Sequence, residues 1–127
     1  LGADTEVILD DEVFGKPRDA EEAATMLRRL SGRTHHAVTA ISLVSAGREA
    51  QAVSVSEVSF AELGEEEIAA YVASGQAEGK AGAYAIQGMA GAFIPWISGS
   101  FTGIVGLPLA ETSALLAAAG HPLWRRA

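Results

Sequence analysis

The chain contains no cysteine. Disulfide staples and thiol chemistry are therefore excluded, which suits a reducing, cytoplasmic setting. Imidazole is scarce as well: His35, His36 and His121 are the only three histidines, so a transition-metal site would need carboxylates to complete it. His35 and His36 are adjacent, and on a strand they point to opposite faces and cannot share one ion. Structural or solvated roles suit them better. No apolar run approaches the roughly 18 consecutive positions of a membrane-spanning helix, and no secretory leader is visible. The chain opens on Leu1 rather than Met and enters a strand-like run within a few residues, so a preceding segment is expected. Positive charge is also sparse. Nine Lys and Arg against sixteen Asp and Glu give a net charge of −7. That balance disfavours a surface that tracks a nucleic-acid polymer, whose affinity comes from clustered cations that displace counterions. A small anion is not excluded, because two or three well-placed cations and a divalent metal set the local field.

What is present is 49% hydrophobic residues in 127, enough for one compact core and little more. A single domain over residues 1–127 is predicted. The run Thr5-Glu6-Val7-Ile8-Leu9 reads as a strand that ends in a turn at Asp10-Asp11-Glu12. Asp19 and Glu22 have capping-box spacing, and Ala20, Ala23, Ala24, Leu27 and Leu30 recur at helical spacing up to Gly32. Residues 35–44 and 52–60 are rich in β-branched side chains around the turn Ser45-Ala46-Gly47-Arg48, the signature of an antiparallel hairpin. Val53 and Val55 share one parity while Val58 and Phe60 share the other. A β-bulge near Ser56-Glu57 would bring them to one face, and it is predicted.

Glu65, Glu66 and Glu67 open a short helix that closes at Gly75, with carboxylates at the positive end of its dipole. From Gly79 to Gly106 glycine recurs among Tyr84, Ile86, Phe93, Trp96 and Phe101, a stretch able to turn tightly and approach a ligand. A last helix is predicted over 109–119, after Pro108 and before Gly120, with Leu115, Leu116 and Ala119 on one face and a surface tail from His121. Strands alternating with helices, with no repeat or linker, give the α/β class.

Common catalytic motifs fail. Gly79-Lys80-Ala81-Gly82 lacks the Ser or Thr after the lysine and the upstream glycine of a phosphate loop. Gly82, Gly88 and Gly91 do not make a dinucleotide-binding fingerprint. Ser98-Gly99-Ser100 is no nucleophile elbow. Asp4, Lys16, Lys80 and Gln87 remain, and each alone reads as a turn residue, a solvated charge or a loop polar group.

Their order changes that reading. Gly2-Ala3-Asp4-Thr5, Gly15-Lys16-Pro17, Leu30-Ser31-Gly32-Arg33-Thr34-His35, Tyr71-Val72-Ala73-Ser74-Gly75, Lys80-Ala81-Gly82-Ala83-Tyr84-Ala85-Ile86-Gln87-Gly88 and Val105-Gly106-Leu107-Pro108-Leu109 follow one another. Together they resemble the Maf family of nucleotide pyrophosphatases, from Leu1 to about Gly120. The family carries a Ser-, Pro- and Arg-rich loop and a further Lys ahead of its Ala-Asp-Thr segment, and neither is found here. The resemblance implies a Maf/ITPase-like α/β domain, a mixed central sheet flanked by helices. It also implies hydrolysis of a nucleoside triphosphate to monophosphate and pyrophosphate with a divalent cation, usually Mg²⁺, and a homodimer.

By the same resemblance Asp4 matches the general base. A carboxylate there could accept a proton from the attacking water or orient a metal that acidifies it, and the sequence does not separate these roles. Thr5, Lys16, Lys80 and Gln87 fall at substrate-binding positions. Two ammonium groups suit phosphate oxygens, and a carboxamide presents the donor and acceptor that match a uracil or thymine edge. Asp4-Thr5, Lys80 and Ile86-Gln87-Gly88 resemble the dTTP/UTP branch more than the 7-methyl-GTP branch. Ala85 and Gly79 depart from the usual Gly and Asp of the family. A non-catalytic nucleotide-binding or regulatory domain is the competing reading.

Overall fold

A computed structural model describes residues 1–121; the remainder of the expected surface tail lies outside the described residues. The elements run β1 (Gly2–Leu9), β2 (Glu12–Phe14), α1 (Ala20–Leu30), β3 (Thr34–Ser45), β4 (Arg48–Ser59), α2 (Glu65–Ala73), two 3₁₀ turns (Ala81–Ala83 and Met89–Phe93), β5 (Trp96–Ser98), α3 (Phe101–Val105) and α4 (Leu109–Ala118). The five strands form one sheet in the order β2-β1-β3-β4-β5.

Every strand pair among the described residues is antiparallel, where the family resemblance had implied a mixed sheet. β2 and β3 do run in the same direction around α1, but β1 lies between them and pairs with both. The one same-direction relation set up by a helix is thus never a hydrogen-bonded one. β2 pairs only with Val7, Ile8 and Leu9, so the amino-terminal half of β1 is bonded to β3 alone.

Side-chain alternation sets what is covered. Val7 and Leu9 of β1, Ala37, Ile41 and Leu43 of β3 and Val58 of β4 face inward. There Val7, Leu9, Ala37 and Val58 meet Ala23, Leu27 and Leu30 of α1, and Ile68 and Tyr71 of α2, in one apolar cluster, while Ile41 and Leu43 are buried farther along β3 outside it. The opposite face is not flanked by helices among the described residues. Val53 and Val55 stand 60% and 58% exposed on it, while Ser56 and Val58 are 2% and 0% exposed. The predicted bulge is therefore absent. β3 and β4 stay in register from Thr34↔Ser59 to Ser45↔Arg48 without a break. The valines that suggested a slip simply belong to the outer row, and the inward positions opposite them are filled by Ser54 and Ser56.

Those small polar residues have a packing reason. α3 lies against them with glycine at the contact, and a Cβ on Gly103 would come within 2.7 Å of the Ser54 hydroxyl. Ser56 Oγ also accepts the Ser100 N–H at 2.9 Å.

The start of α1 realises half of the expected capping box. Asp19 accepts the Glu22 N–H at 2.8 Å, but the Glu22 carboxylate turns to the Arg18 Nε at 2.7 Å rather than back to the cap. A guanidinium donor within reach is the stronger partner. The Arg28 guanidinium donates to Glu65 at 2.8 Å and joins α1 to α2. α4 buries Thr112, and Leu115, Leu116 and Ala119 are half-buried on one side, as the spacing predicted.

Candidate active site

A cavity of about 270 Å³ opens where β1, the loop after β2 and the loop after α2 meet, and Asp4, Thr5, Lys16, Lys80 and Gln87 all line it. All five residues singled out from the sequence thus share one cavity, although 83 positions separate Asp4 from Gln87 in the chain. β1 supplies Asp4 and Thr5, and its inward residue Val7 marks the floor. Lys16 follows β2, and Lys80 precedes the first 3₁₀ turn.

Two glycines hold the lysine loops together. The Gly82 N–H donates to the Gly15 carbonyl at 3.1 Å, so the residue after Lys80-Ala81 is fastened to the residue before Lys16. Gly82 has φ +71°, and an ideal Cβ there would stand 2.9 Å from a Val7 methyl. Only a residue without a side chain lets this turn seat on β1.

Charge pairing sets the cavity's cations apart from the arginines in and around α1. Arg18, Arg28, Arg29 and Arg33 are each engaged by a carboxylate. The chain has only two lysines, and both line the cavity. Among the described residues neither has an ion-pair partner. Asp4 is the sole carboxylate of the lining and is likewise unpaired. Two uncompensated cations around a small cavity make it receptive to an anion.

The loop that carries Gln87 is pinned by residues the sequence reading passed over. The Tyr71 hydroxyl accepts the Ala85 N–H at 3.1 Å, and Gln76 Oε1 accepts the Met89 N–H at 2.8 Å. Gln87 itself is exposed. Tyr71 was recognisable as a core aromatic; nothing marked Gln76, whose partner lies thirteen residues on.

Beneath the cavity lies a buried polar pair. Tyr84 forms one wall, and its hydroxyl is 2.6 Å from His35 Nε2. Both rings stack edge-to-face with Phe60. His35 is fully buried. Burial first, and the neighbouring His36 second, pull its pKa down to about 4; burial, with Tyr71 adding to it, pushes Tyr84 above the usual phenol range. Both are neutral near pH 7. His35 is thus a structural histidine, and His36 an exposed one 3.9 Å from Glu57, as their strand positions suggested.

Inward polar residues continue along β3. Thr5 and Thr39 hydroxyls are 2.8 Å apart, and Thr39 donates to the Gly103 carbonyl at 2.6 Å. The signal for Thr39 was a polar residue on the buried parity of a strand, which requires a partner.

The donor set also bears on metals. No group of three or more His, Cys, Asp or Glu that could hold an ion occurs among the described residues, so these residues form no all-protein cage. The single carboxylate at the cavity fits a hard cation that keeps most of its waters and takes further oxygens from a phosphate ligand.

Fold and site together define an α/β domain with an anion-receptive cavity built on the first strand. Residues 1–119 match the family model described as Maf-like protein, and the chain belongs to this family. Among similar proteins, the dTTP/UTP pyrophosphatase of Cereibacter sphaeroides is 59% identical over the whole chain, which covers 66% of that protein. The dTTP/UTP pyrophosphatase of Ruegeria sp. is 58% identical over 98% of the chain and 65% of its own length. The nucleoside triphosphate pyrophosphatase of Xylella fastidiosa strain M23 is 61% identical over 92% of the chain and 62% of its own length. The chain thus spans just under two thirds of the length of these relatives.

Proposed function

We propose that the protein hydrolyses nucleoside triphosphates, dTTP and UTP foremost, to the monophosphate and pyrophosphate. The observation that carries this reading is the convergence in one cavity of the chain's two lysines and one carboxylate, all three without an ion-pair partner among the described residues. The relatives' names supply the pyrimidine substrates.

In this reading Lys16 and Lys80 bind the phosphate chain and neutralise the charge that develops as it breaks. A water oxygen bonds to the α-phosphorus while the bond from that phosphorus to the α,β-bridging oxygen breaks. Asp4 accepts the water's proton, and the electron pair of the broken bond leaves on pyrophosphate. Gln87 faces the base, where its amide N–H and C=O complement the O4 acceptor and N3–H donor of uracil or thymine. Asp4 and the phosphate oxygens would hold Mg²⁺, which supplies charge neutralisation and acidifies bound water. We assign the reaction to the cytoplasm, in keeping with a chain free of cysteine.

The test is a product assay on the full natural protein with dTTP, UTP and 7-methyl-GTP, with and without Mg²⁺. Pyrophosphate and monophosphate in equal amounts from the two pyrimidine nucleotides are expected. Asp4→Asn should lower kcat at least 100-fold, and Lys80→Met should cost more than tenfold in kcat/KM. Nucleotide binding without any product would establish the regulatory reading instead, and undiminished turnover by Asp4→Asn would remove Asp4 as the base.

A further inference from the structure

Resting on the nucleotide reading, we propose that the buried hydrogen bond between Tyr84 and His35 is a positioning device that sets the spacing between Lys80 and Gln87, so that the phosphate end and the base end of one nucleotide are gripped together. The chain between these two contacts consists of two tight turns and one joint. The Ala83 N–H donates to the Lys80 carbonyl at 3.0 Å, and the Gly88 N–H donates to the Ala85 carbonyl at 3.0 Å. The first turn carries Lys80 and the second encloses Gln87. Tyr84 alone stands between them, in extended backbone with φ −144° and ψ 159°. The direction of one turn relative to the other is therefore decided at this residue.

The joint needs holding. Ala83, just before it, has φ +66°, a left-handed conformation that a side chain disfavours and that persists only where the surroundings fix it. Tyr84 lines the cavity, and its hydroxyl lies 2.6 Å from His35 Nε2. His35 stands on β3, the middle strand of the sheet, and Phe60 packs edge-to-face against both rings. The joint is thus tied to the most central strand. Stability does not explain this choice of residues. His35 Nδ1 is buried with no hydrogen-bond partner among the described residues, so the ring brings into the core one satisfied nitrogen and one unsatisfied. An apolar pair of similar shape would be nearly neutral for folding, but it would not direct the phenol to one point.

The experiment measures, on the full natural protein, kcat/KM for UTP and the inhibition constant of inorganic tripolyphosphate, which offers charge to the lysines but no base to Gln87. In wild type, Gln87→Ala should lower kcat/KM for UTP about tenfold. Tyr84→Phe should also lose about tenfold on UTP, mostly in KM, while tripolyphosphate inhibition stays within about twofold of wild type. Gln87→Ala added to Tyr84→Phe should then cost at least about threefold less than it does in wild type. The paired variant His35→Leu/Tyr84→Phe removes both partners of the bond; it should keep nearly the wild-type urea midpoint and show the same loss of coupling, and it decides the matter where Tyr84→Phe alone fails to fold. Full additivity with Gln87→Ala overturns the positioning role. So does a loss of tripolyphosphate inhibition in step with UTP, which a merely loosened fold would give. No turnover of UTP by wild type overturns the nucleotide reading and this inference with it.

Discussion

Gly82 and Gly15 are joined by a single backbone hydrogen bond of 3.1 Å, and through it the two lysines of the chain are held over one cavity. The bond requires Gly82 to sit directly on Val7. Gly82→Ala is expected to destabilise the fold by about 3 kcal/mol, combining left-handed strain with overpacking. Gly15→Ala has open space around it and should cost under about 0.5 kcal/mol. Urea titration measures both, and equal midpoints for the two variants would contradict the close packing.

The loop that presents Gln87 offers a second check, conditional on the proposed activity. Gln76→Ala removes the acceptor for the Met89 N–H and should raise KM for dTTP about three- to tenfold with kcat nearly unchanged. Gln76→Glu keeps an acceptor oxygen and should lie near wild type. A matching fall in kcat would mean that the loop serves the chemical step.

Acid sensitivity follows from His35, whose pKa is pulled from 6.5 to about 4 by burial. Above pH 6.5 the histidine is neutral folded and unfolded, and stability does not vary with its titration. Between pH 6.5 and about 4 the unfolded chain takes up the proton and the folded one does not, so stability falls as the pH drops. The full loss is on the order of 3 kcal/mol. The His35 ring proton should titrate by NMR with a midpoint near 4; a midpoint near 6.5 would show the ring to be solvated.

Local patterns made most elements legible. The capped, periodic run of α1, the hairpin with its turn at Ala46 and Gly47, and the two later helices appear where spacing placed them. The bulge was misread because exposed Val53 and Val55 looked like core, although an uncovered sheet face carries such residues without penalty in a strand. Of the site, composition and motif logic left each member a plain surface residue, and family order brought them together. The Thr5-Thr39-Gly103 chain and the His35-Tyr84 pair were illegible for another reason. Their partners are joined across 34, 64 and 49 positions, and no local rule reaches that far.

The short reach of β2 has its own effect on the candidate base. Because β2 pairs only with Val7, Ile8 and Leu9, the stretch of β1 that carries Asp4 and Thr5 is braced among the described residues by β3 alone, opposite Ala40 and Thr39. Whatever shifts that stretch of β3 carries the carboxylate with it, so residues that touch no ligand can still set where Asp4 stands.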